Sequence, residues 1–368
     1  MILKVLSVFG TRPEAVKMAP VILALNRHPD IHSVICFTGQ HREMVQPILE
    51  LFNINPDYQL DIMQPNQSLS ASTSRLFSSL DTVLEAEKPH WVLAQGDTTT
   101  VMVSAITSYY QRLKFGHIEA GLRTYDKYSP FPEEGNRLIA DVLADACFAP
   151  TAKARDRLIA EGIPTDRIIL TGNTVVDAVL DISKRRYQSS IVDSLPADKR
   201  IVLVTAHRRE SFGEPLRQLC YALSDIAKRF DDIHLIYPVH LNPQVQHPVY
   251  EILADVANIS LIAPLAYPDL IAIMRRATLI LTDSGGIQEE APTFKVPLLV
   301  MRDTTERPEG IEAGKAKLVG TSRTRIVEEA TAILTNPKLA QAMQGDNPYG
   351  DGQAAQRIVD YLLRASNG

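Results

Sequence analysis

Short apolar runs alternate along the chain with longer amphipathic stretches. In the first half the runs fall at 3–9, 34–38, 91–95, 115–118 and 146–149. In the second half they fall at 201–205, 234–237, 260–262, 278–282 and 297–301. Near-continuous apolar runs of strand length mark strands buried on both faces, and helix-length segments between them cover a parallel sheet. So many strands would overfill one sheet, and 368 residues suit two domains. The pattern therefore predicts an α/β protein with two doubly wound domains facing a central cleft. The expected division is 1–172, 173–352, and a C-terminal helix in 353–368 that packs back on the first domain. Thr171-Gly172-Asn173-Thr174 and the polar stretch 184–200 bracket the expected hinge.

In a doubly wound sheet, ligands bind outside the carboxyl ends of the strands. The polar clusters fall at those ends. Gly10-Thr11-Arg12-Pro13-Glu14 follows the first run, Gly96-Asp97-Thr98 the third and Glu119-Ala120-Gly121 the fourth. In the second half, His207-Arg208-Arg209-Glu210 and Asp283-Ser284-Gly285-Gly286 do the same. Solvated loops give no reason for such placement.

Composition narrows the ligand. The net charge of −5 gives no general attraction for nucleic acid or an anionic membrane, so a phosphate must be held by local groups. Three scattered cysteines form neither metal spacing nor a disulfide framework, which points to a reducing compartment. The first run is too short for a signal or membrane segment, so the chain is expected to be cytoplasmic. No G-x-G-x-x-G follows the first strand, which argues against a nicotinamide enzyme of that type. Gly310–Ala316 approaches a P-loop but is one residue short and lacks the Ser/Thr. No metal and no cofactor are expected.

The stretch Leu281-Thr282-Asp283-Ser284-Gly285-Gly286-Ile287-Gln288-Glu289-Glu290 carries the sharpest chemistry. A Ser-Gly-Gly turn from strand to helix leaves backbone N–H groups uncovered, and the helix dipole favours an anion there. Glu290, further along, suits sugar hydroxyls, and Arg302 and Arg307 follow the next strand. Arg12, with Lys17 after it, suits a diphosphate. Asp97, Glu119 and Glu133 are three carboxylates on segments able to converge. Crowded carboxylates divide into acid and base. His207 at a strand end, beside two arginines, suits donation to a leaving oxygen.

Together and in this order, the clusters resemble the non-hydrolysing UDP-N-acetylglucosamine 2-epimerases. The matching segments include VFGTRPEAVKMAP (8–20), QGDTTT (95–100), HIEAGLRT (117–124), PFPEEGNR (130–137), TAHRRESFG (205–213), LTDSGGIQEEAP (281–292) and MRDTTERPEGIEAG (301–314). The resemblance implies a GT-B-like fold, a homodimer, and interconversion of UDP-GlcNAc and UDP-ManNAc without added NAD, supplying precursors for bacterial surface polysaccharides. It assigns Asp97, Glu119 and Glu133 to acid/base work. Arg12, His207, Ser284, Gly285 and Gly286 would face the diphosphate, Glu290 the ribose, and Arg307 the nucleotide. Gln40, His41, Arg208 and His240 look like a regulatory pocket for a second UDP-GlcNAc. The segment 264–270 departs from the glutamine- and phenylalanine-bearing version that borders uracil in some relatives.

The chemistry fits these residues. C2 of the sugar is not next to a carbonyl, so simple deprotonation is slow, and the fingerprint for transient oxidation is absent. Elimination of UDP to 2-acetamidoglucal and re-addition requires proton-transfer groups on two faces and diphosphate stabilisation. Three other readings use a UDP-sugar. A GT-B glycosyltransferase would need an acceptor site, and a silent UDP-sugar sensor would not need three acids. A hydrolysing epimerase often carries a fused kinase, for which this chain has no room.

Overall fold

The apolar runs become strands of two all-parallel sheets in a computed structural model that describes residues 2–40, 42–64 and 67–366. The first sheet contains β1 (Leu3–Phe9), β2 (Ile31–Phe37), β3 (Tyr58–Gln59), β4 (Trp91–Gln95), β5 (Lys114–Ile118), β6 (Ala146–Ala149) and β7 (Ile168–Leu170). Its order is β3-β2-β1-β4-β5-β6-β7. The second contains β8 (Arg200–Thr205), β9 (Ile233–Pro238), β10 (Ile259–Ile262), β11 (Ala277–Thr282), β12 (Leu298–Val300) and β13 (Ala316–Leu318), in the order β10-β9-β8-β11-β12-β13. Both follow the doubly wound Rossmann order, spreading from the first strand in two directions. Three strands had no counterpart among the apolar runs: β3, β7 and β13. Each lies at a sheet edge and is two or three residues long. β3 and β13 each carry a polar residue, Gln59 and Lys317, and β7, though apolar throughout, is only three residues long, so none stands out as a run of strand length.

The central strands are buried on both faces. Val5, Leu6 and Val92 to Ala94 are fully covered in the first sheet, as are Ile201 to Val204 and Leu279 to Leu281 in the second. The three cysteines are buried as well, and burial raises their thiol pKa values. Among the described residues no helix is long and apolar enough to cross a membrane.

The chain divides into two units, one up to Ala178 and again from Gly350, the other Val179–Tyr349. The first break therefore follows Ala178 rather than Gly172. The helix Thr174–Lys184 begins in the first unit, where the Asp177 carboxylate accepts from the N–H groups of Ala354 (3.2 Å) and Ala355 (2.9 Å). Those N–H groups open the last helix, Ala354–Ser366, which packs on the Arg12–Arg27 helix. Trp91 Nε1 donates to Ser366 at 3.3 Å near its end. The stretch 184–200, expected as a linker, is instead tied into the second unit. Tyr187 and Ser189 both donate to Asp269, at 2.9 and 2.6 Å.

Burial pushes the Asp177 carboxyl up to about 6, against the pull of the two N–H donors. A carboxyl raised on folding contributes stability that is fully present below its unfolded pKa and is lost as pH rises through its folded one. Wild type should therefore lose stability relative to Asp177→Asn as pH rises from 3.8 to about 6, measured by thermal unfolding across that window. A constant difference between the two proteins would show that Asp177 does not titrate there.

Candidate active site

In each sheet the order reverses between the first strand and its fourth, at β1/β4 and β8/β11. Binding crevices in such sheets form at this switch point. The sequence candidates flank it in both units.

In the first unit β1 runs into Gly10, where an added Cβ would meet Thr38 Oγ1 at 2.2 Å, so glycine is required. Glu14, on the first turn of the Arg12–Arg27 helix, accepts from the N–H groups of Gly10 (2.8 Å) and Thr11 (2.7 Å) and from the Thr98 hydroxyl (2.5 Å). Burial raises its pKa despite those hydrogen bonds. Glu14 thus ties the turn after β1 to the turn after β4. Arg12 is half-buried beside it and carries no ion pair among the described residues. Lys17, expected at the diphosphate, has a different partner: its Nζ lies 2.6 Å from Glu119 Oε1.

Asp97 and Glu119 follow neighbouring strands whose ends are in register, Gln95 opposite Ile118. Adjacent parallel strands lie about 4.8 Å apart, so the two loops emerge side by side. Glu119 adopts a left-handed backbone, φ 69°. For a non-glycine residue this costs on the order of 1–3 kcal/mol and persists only where neighbours enforce it. Besides Lys17, its carboxylate accepts from Gln95 and from Asn173 Nδ2 (3.3 Å). Asp97 remains partly open to solvent. The helix Glu133–Leu143 holds it: Asn136 Nδ2 donates to its carbonyl at 2.9 Å, and Arg137 Nη2 lies 2.5 Å from its Oδ2. Glu133 and Glu134, alike in sequence, separate in role. Glu134 is buried, accepts from Thr124 and Tyr125 N–H groups and pairs with Arg137. Glu133 is half-buried at the helix start, with no hydrogen bond or ion pair among the described residues. The segment before it, 127–132, is a succession of turns and bends.

In the second unit the organising residue is Asp283, fully buried at the end of β11. Its Oδ2 accepts from the N–H groups of His207 (2.7 Å) and Arg208 (2.8 Å), and its Oδ1 lies 3.7 Å from His207 Nδ1. Ser284 stands at the N-cap position of the short helix Gly285–Glu290, and its side chain makes no capping hydrogen bond there. The Arg208 guanidinium lies against this turn, where a Cβ on Gly285 would sit 3.2 Å from Nη2, and pairs with Glu306 at 3.6 Å. The His240 ring stacks on His207, centroids 5.4 Å apart and planes 9° apart. Two residues of the expected regulatory pocket therefore sit with His207 and the glycine turn. Gln40 lies in the first unit beside a cavity of about 280 Å³, and His41 lies outside the described residues. Glu290 is buried, with the Tyr267 hydroxyl donating to it at 3.2 Å. Arg307, expected at the nucleotide, pairs with Glu289. Arg302 is buried between Glu210 (2.6 Å) and Glu306 (2.8 Å) and ties its loop. Burial opposes the Glu306 charge, but Arg302 outweighs it and holds the carboxyl at about 2.

Two doubly wound parallel sheets, each with polar turns at its switch point, define a protein of GT-B-like fold. The profile of the UDP-N-acetylglucosamine 2-epimerase family matches residues 23–363, and the chain belongs to that family. It is similar to the UDP-N-acetylglucosamine 2-epimerase of Escherichia coli (strain K12), 50% identical with 98% of each chain covered. A solved Listeria monocytogenes structure is 45% identical with a TM-score of 0.94, covering 100% of this chain and 97% of that one. The Neisseria meningitidis UDP-GlcNAc 2-epimerase, solved bound to UDP-GlcNAc, is 46% identical with a TM-score of 0.91, covering 98% and 100%.

The residues that hold the candidates, Asp283, Arg137, Asn136, Gln95 and Asn173, escaped the sequence reading. The one available signal was a carboxylate directly after a largely apolar strand, as at Asp283. Replacing it by alanine strands two N–H groups, and a buried unsatisfied group costs about 1–3 kcal/mol. Asp283→Ala should lose at least that much stability in a denaturant titration, and Asp283→Asn, which keeps an acceptor oxygen, should lose less.

Proposed function

We propose that the chain interconverts UDP-N-acetylglucosamine and UDP-N-acetylmannosamine by elimination and re-addition of UDP, as a non-hydrolysing epimerase. The observation that carries this reading is the pair of side-by-side carboxylate loops, Asp97 and Glu119, in a chain that shares half its sequence with an epimerase of that name. A base removes the C2 proton. The C–H pair becomes the C1=C2 double bond, and the C1–O bond breaks with its electrons leaving on UDP. Re-addition reverses these steps with the proton delivered to the opposite face. Asp97, Glu119 and Glu133 serve the proton transfers. Partly open Asp97 and unpaired Glu133 are free to approach a substrate, and Lys17 keeps Glu119 oriented. Arg12, His207 and the Ser284-Gly285-Gly286 turn take the diphosphate charge, and Glu290 accepts from ribose hydroxyls. Arg208 lies against the same turn and adds a cation there. The product serves surface-polysaccharide synthesis.

The regulatory role of Gln40, Arg208 and His240 belongs to the same reading. So does a homodimer. Leu138, Ile139 and Val142 leave 38%, 39% and 65% of their surface exposed on one side of the Glu133–Leu143 helix. Tyr109 and Tyr110 lie exposed at the end of the helix packed against it. An apolar patch of this kind is what a second copy would cover.

Turnover in deuterated water should place deuterium at C2 and release small amounts of UDP and 2-acetamidoglucal. Product without deuterium would rule out elimination. His207→Ala should slow turnover about 10²–10³-fold, the usual loss for one donor to developing charge. Val142→Asp should convert the dimer to monomer in light-scattering chromatography, and an unchanged dimer would move the interface elsewhere.

A further inference from the structure

His117 lies in the middle of the first sheet, on β5, and is completely buried. Its register partners are Ala94 on β4 and Cys147 on β6. A central parallel strand normally carries an apolar residue there. Instead the ring sits between two acceptors. Nε2 lies 2.7 Å from the Gly96 carbonyl oxygen, and Nδ1 lies 2.5 Å from Asp141 Oδ1. A carbonyl oxygen can only accept, so Nε2 carries a proton. Asp141 also accepts from the Gly121 N–H at 3.1 Å and lies 2.7 Å from the Arg123 guanidinium, the surroundings of an ionised carboxylate. An ionised carboxylate can only accept as well, so Nδ1 carries a proton too. The ring that satisfies both is an imidazolium.

The charge is balanced locally. Arg123 reaches past Asp141 to Glu161, with Nε at 2.8 Å and Nη2 at 2.6 Å. Two cations thus face two carboxylates from four elements: β5, the loop after it, the Glu133–Leu143 helix and the end of the Ala152–Ala160 helix. The remaining titratable neighbour is the Cys147 thiol, which donates to the Asp141 carbonyl at 3.6 Å. Burial works against a charged ring, yet the Asp141 charge and hydrogen bond outweigh it and raise the His117 pKa.

The two ends of this pair hold the two turns that carry the acidic candidates. Gly96, held by Nε2, has φ +91° and directly precedes Asp97. Gly121, held through Asp141, has φ +85°, two residues after left-handed Glu119. An added Cβ at Gly121 would approach Ala154 O to 2.4 Å, so that turn has one conformation. The helix that supplies Asp141 also supplies Asn136 and Arg137 to Asp97.

We propose that His117, as a buried imidazolium paired with Asp141, is a positioning residue that fixes Asp97 and Glu119 relative to one another for proton transfer. The proposal rests on the epimerase reading for its kinetic consequence, but not for the charge on the ring. His117 and Asp141 are both buried, at 0% and 1% exposure, so their loss should act on turnover rather than binding. Misplacing a reacting group by about 1 Å costs about 10²-fold.

The test has two arms. In ¹⁵N-histidine-labelled wild-type protein at pH 8, the His117 nitrogens, assigned by loss of their signals in His117→Gln or by their displacement in Asp141→Asn, should both show imidazolium shifts. A neutral His117 ring at that pH overturns the proposal, whatever the activity proves to be. In the second arm, wild-type epimerisation is established first, since its failure would remove the epimerase reading and leave the NMR result standing. His117→Gln and Asp141→Asn should then lower kcat about 10²-fold, with KM for UDP-GlcNAc changed less than about 3-fold. Either variant, folded by circular dichroism, with wild-type kcat overturns the positioning role. So does a loss confined to KM. If His117→Gln fails to fold, Asp141→Asn and the wild-type spectrum decide.

Discussion

The ion pair between Lys17 and Glu119 is the contact on which the first unit's chemistry depends. Both groups are nearly removed from water, at 11% and 6% side-chain exposure. Desolvating two charges costs several kcal/mol per ion, which their attraction offsets only when further hydrogen bonds complete the shell. Gln95 and Asn173 supply those bonds. The pair is therefore weak evidence for stability and strong evidence for orientation. It joins the Arg12–Arg27 helix to the loop after β5, and it holds Glu119 in a backbone conformation that the residue would not adopt alone.

The same device recurs at the switch point of each unit. After the first strand of either sheet, one carboxylate oxygen accepts from two consecutive backbone N–H groups. Glu14 does so for Gly10 and Thr11, and Asp283 for His207 and Arg208. The carboxylates come from different places, the first turn of a helix in one unit and the end of the neighbouring strand in the other. In both, the turn that carries a basic candidate is locked by a negative group behind it. The backbone that carries Arg12 and His207 is thereby fixed. A turn held in this way needs little reorganisation when charge develops in front of it.

Much of this was legible in the chain. Central strands declare themselves by continuous apolar residues, and β1, β4 and β6 fall where the runs 3–9, 91–95 and 146–149 placed them. The edge strands β3, β7 and β13 did not, because each is only two or three residues long and Gln59 and Lys317 interrupt β3 and β13. The candidates at strand ends were visible because polar residues interrupt an apolar pattern there. Their supports were not. The pairing of Lys17 with Glu119 does not show until the β5 loop is placed beside the helix, and Glu133 and Glu134 are indistinguishable until the helix shows which one points inward. His117 reads as part of a motif, but its two acceptors come from Gly96 and Asp141, on either side of it in sequence and known only from the fold. Side-chain partners separated by a hundred residues, as Lys17 and Glu119 are, leave no local trace.

The return of the last helix to the first unit has a consequence for how the chain is made. The second unit is continuous, Val179–Tyr349, whereas the first is split and includes everything from Gly350 onward. Synthesis therefore delivers the second unit whole while the first still lacks the helix Ala354–Ser366 that covers Trp91 and part of the Arg12–Arg27 helix. Domains tend to fold as units, the N-terminal one first as it emerges. Here that order is frustrated: the unit begun first is the one finished last. Until its final helix leaves the ribosome, the nascent protein carries an open apolar face at its own beginning, where a chaperone would find it.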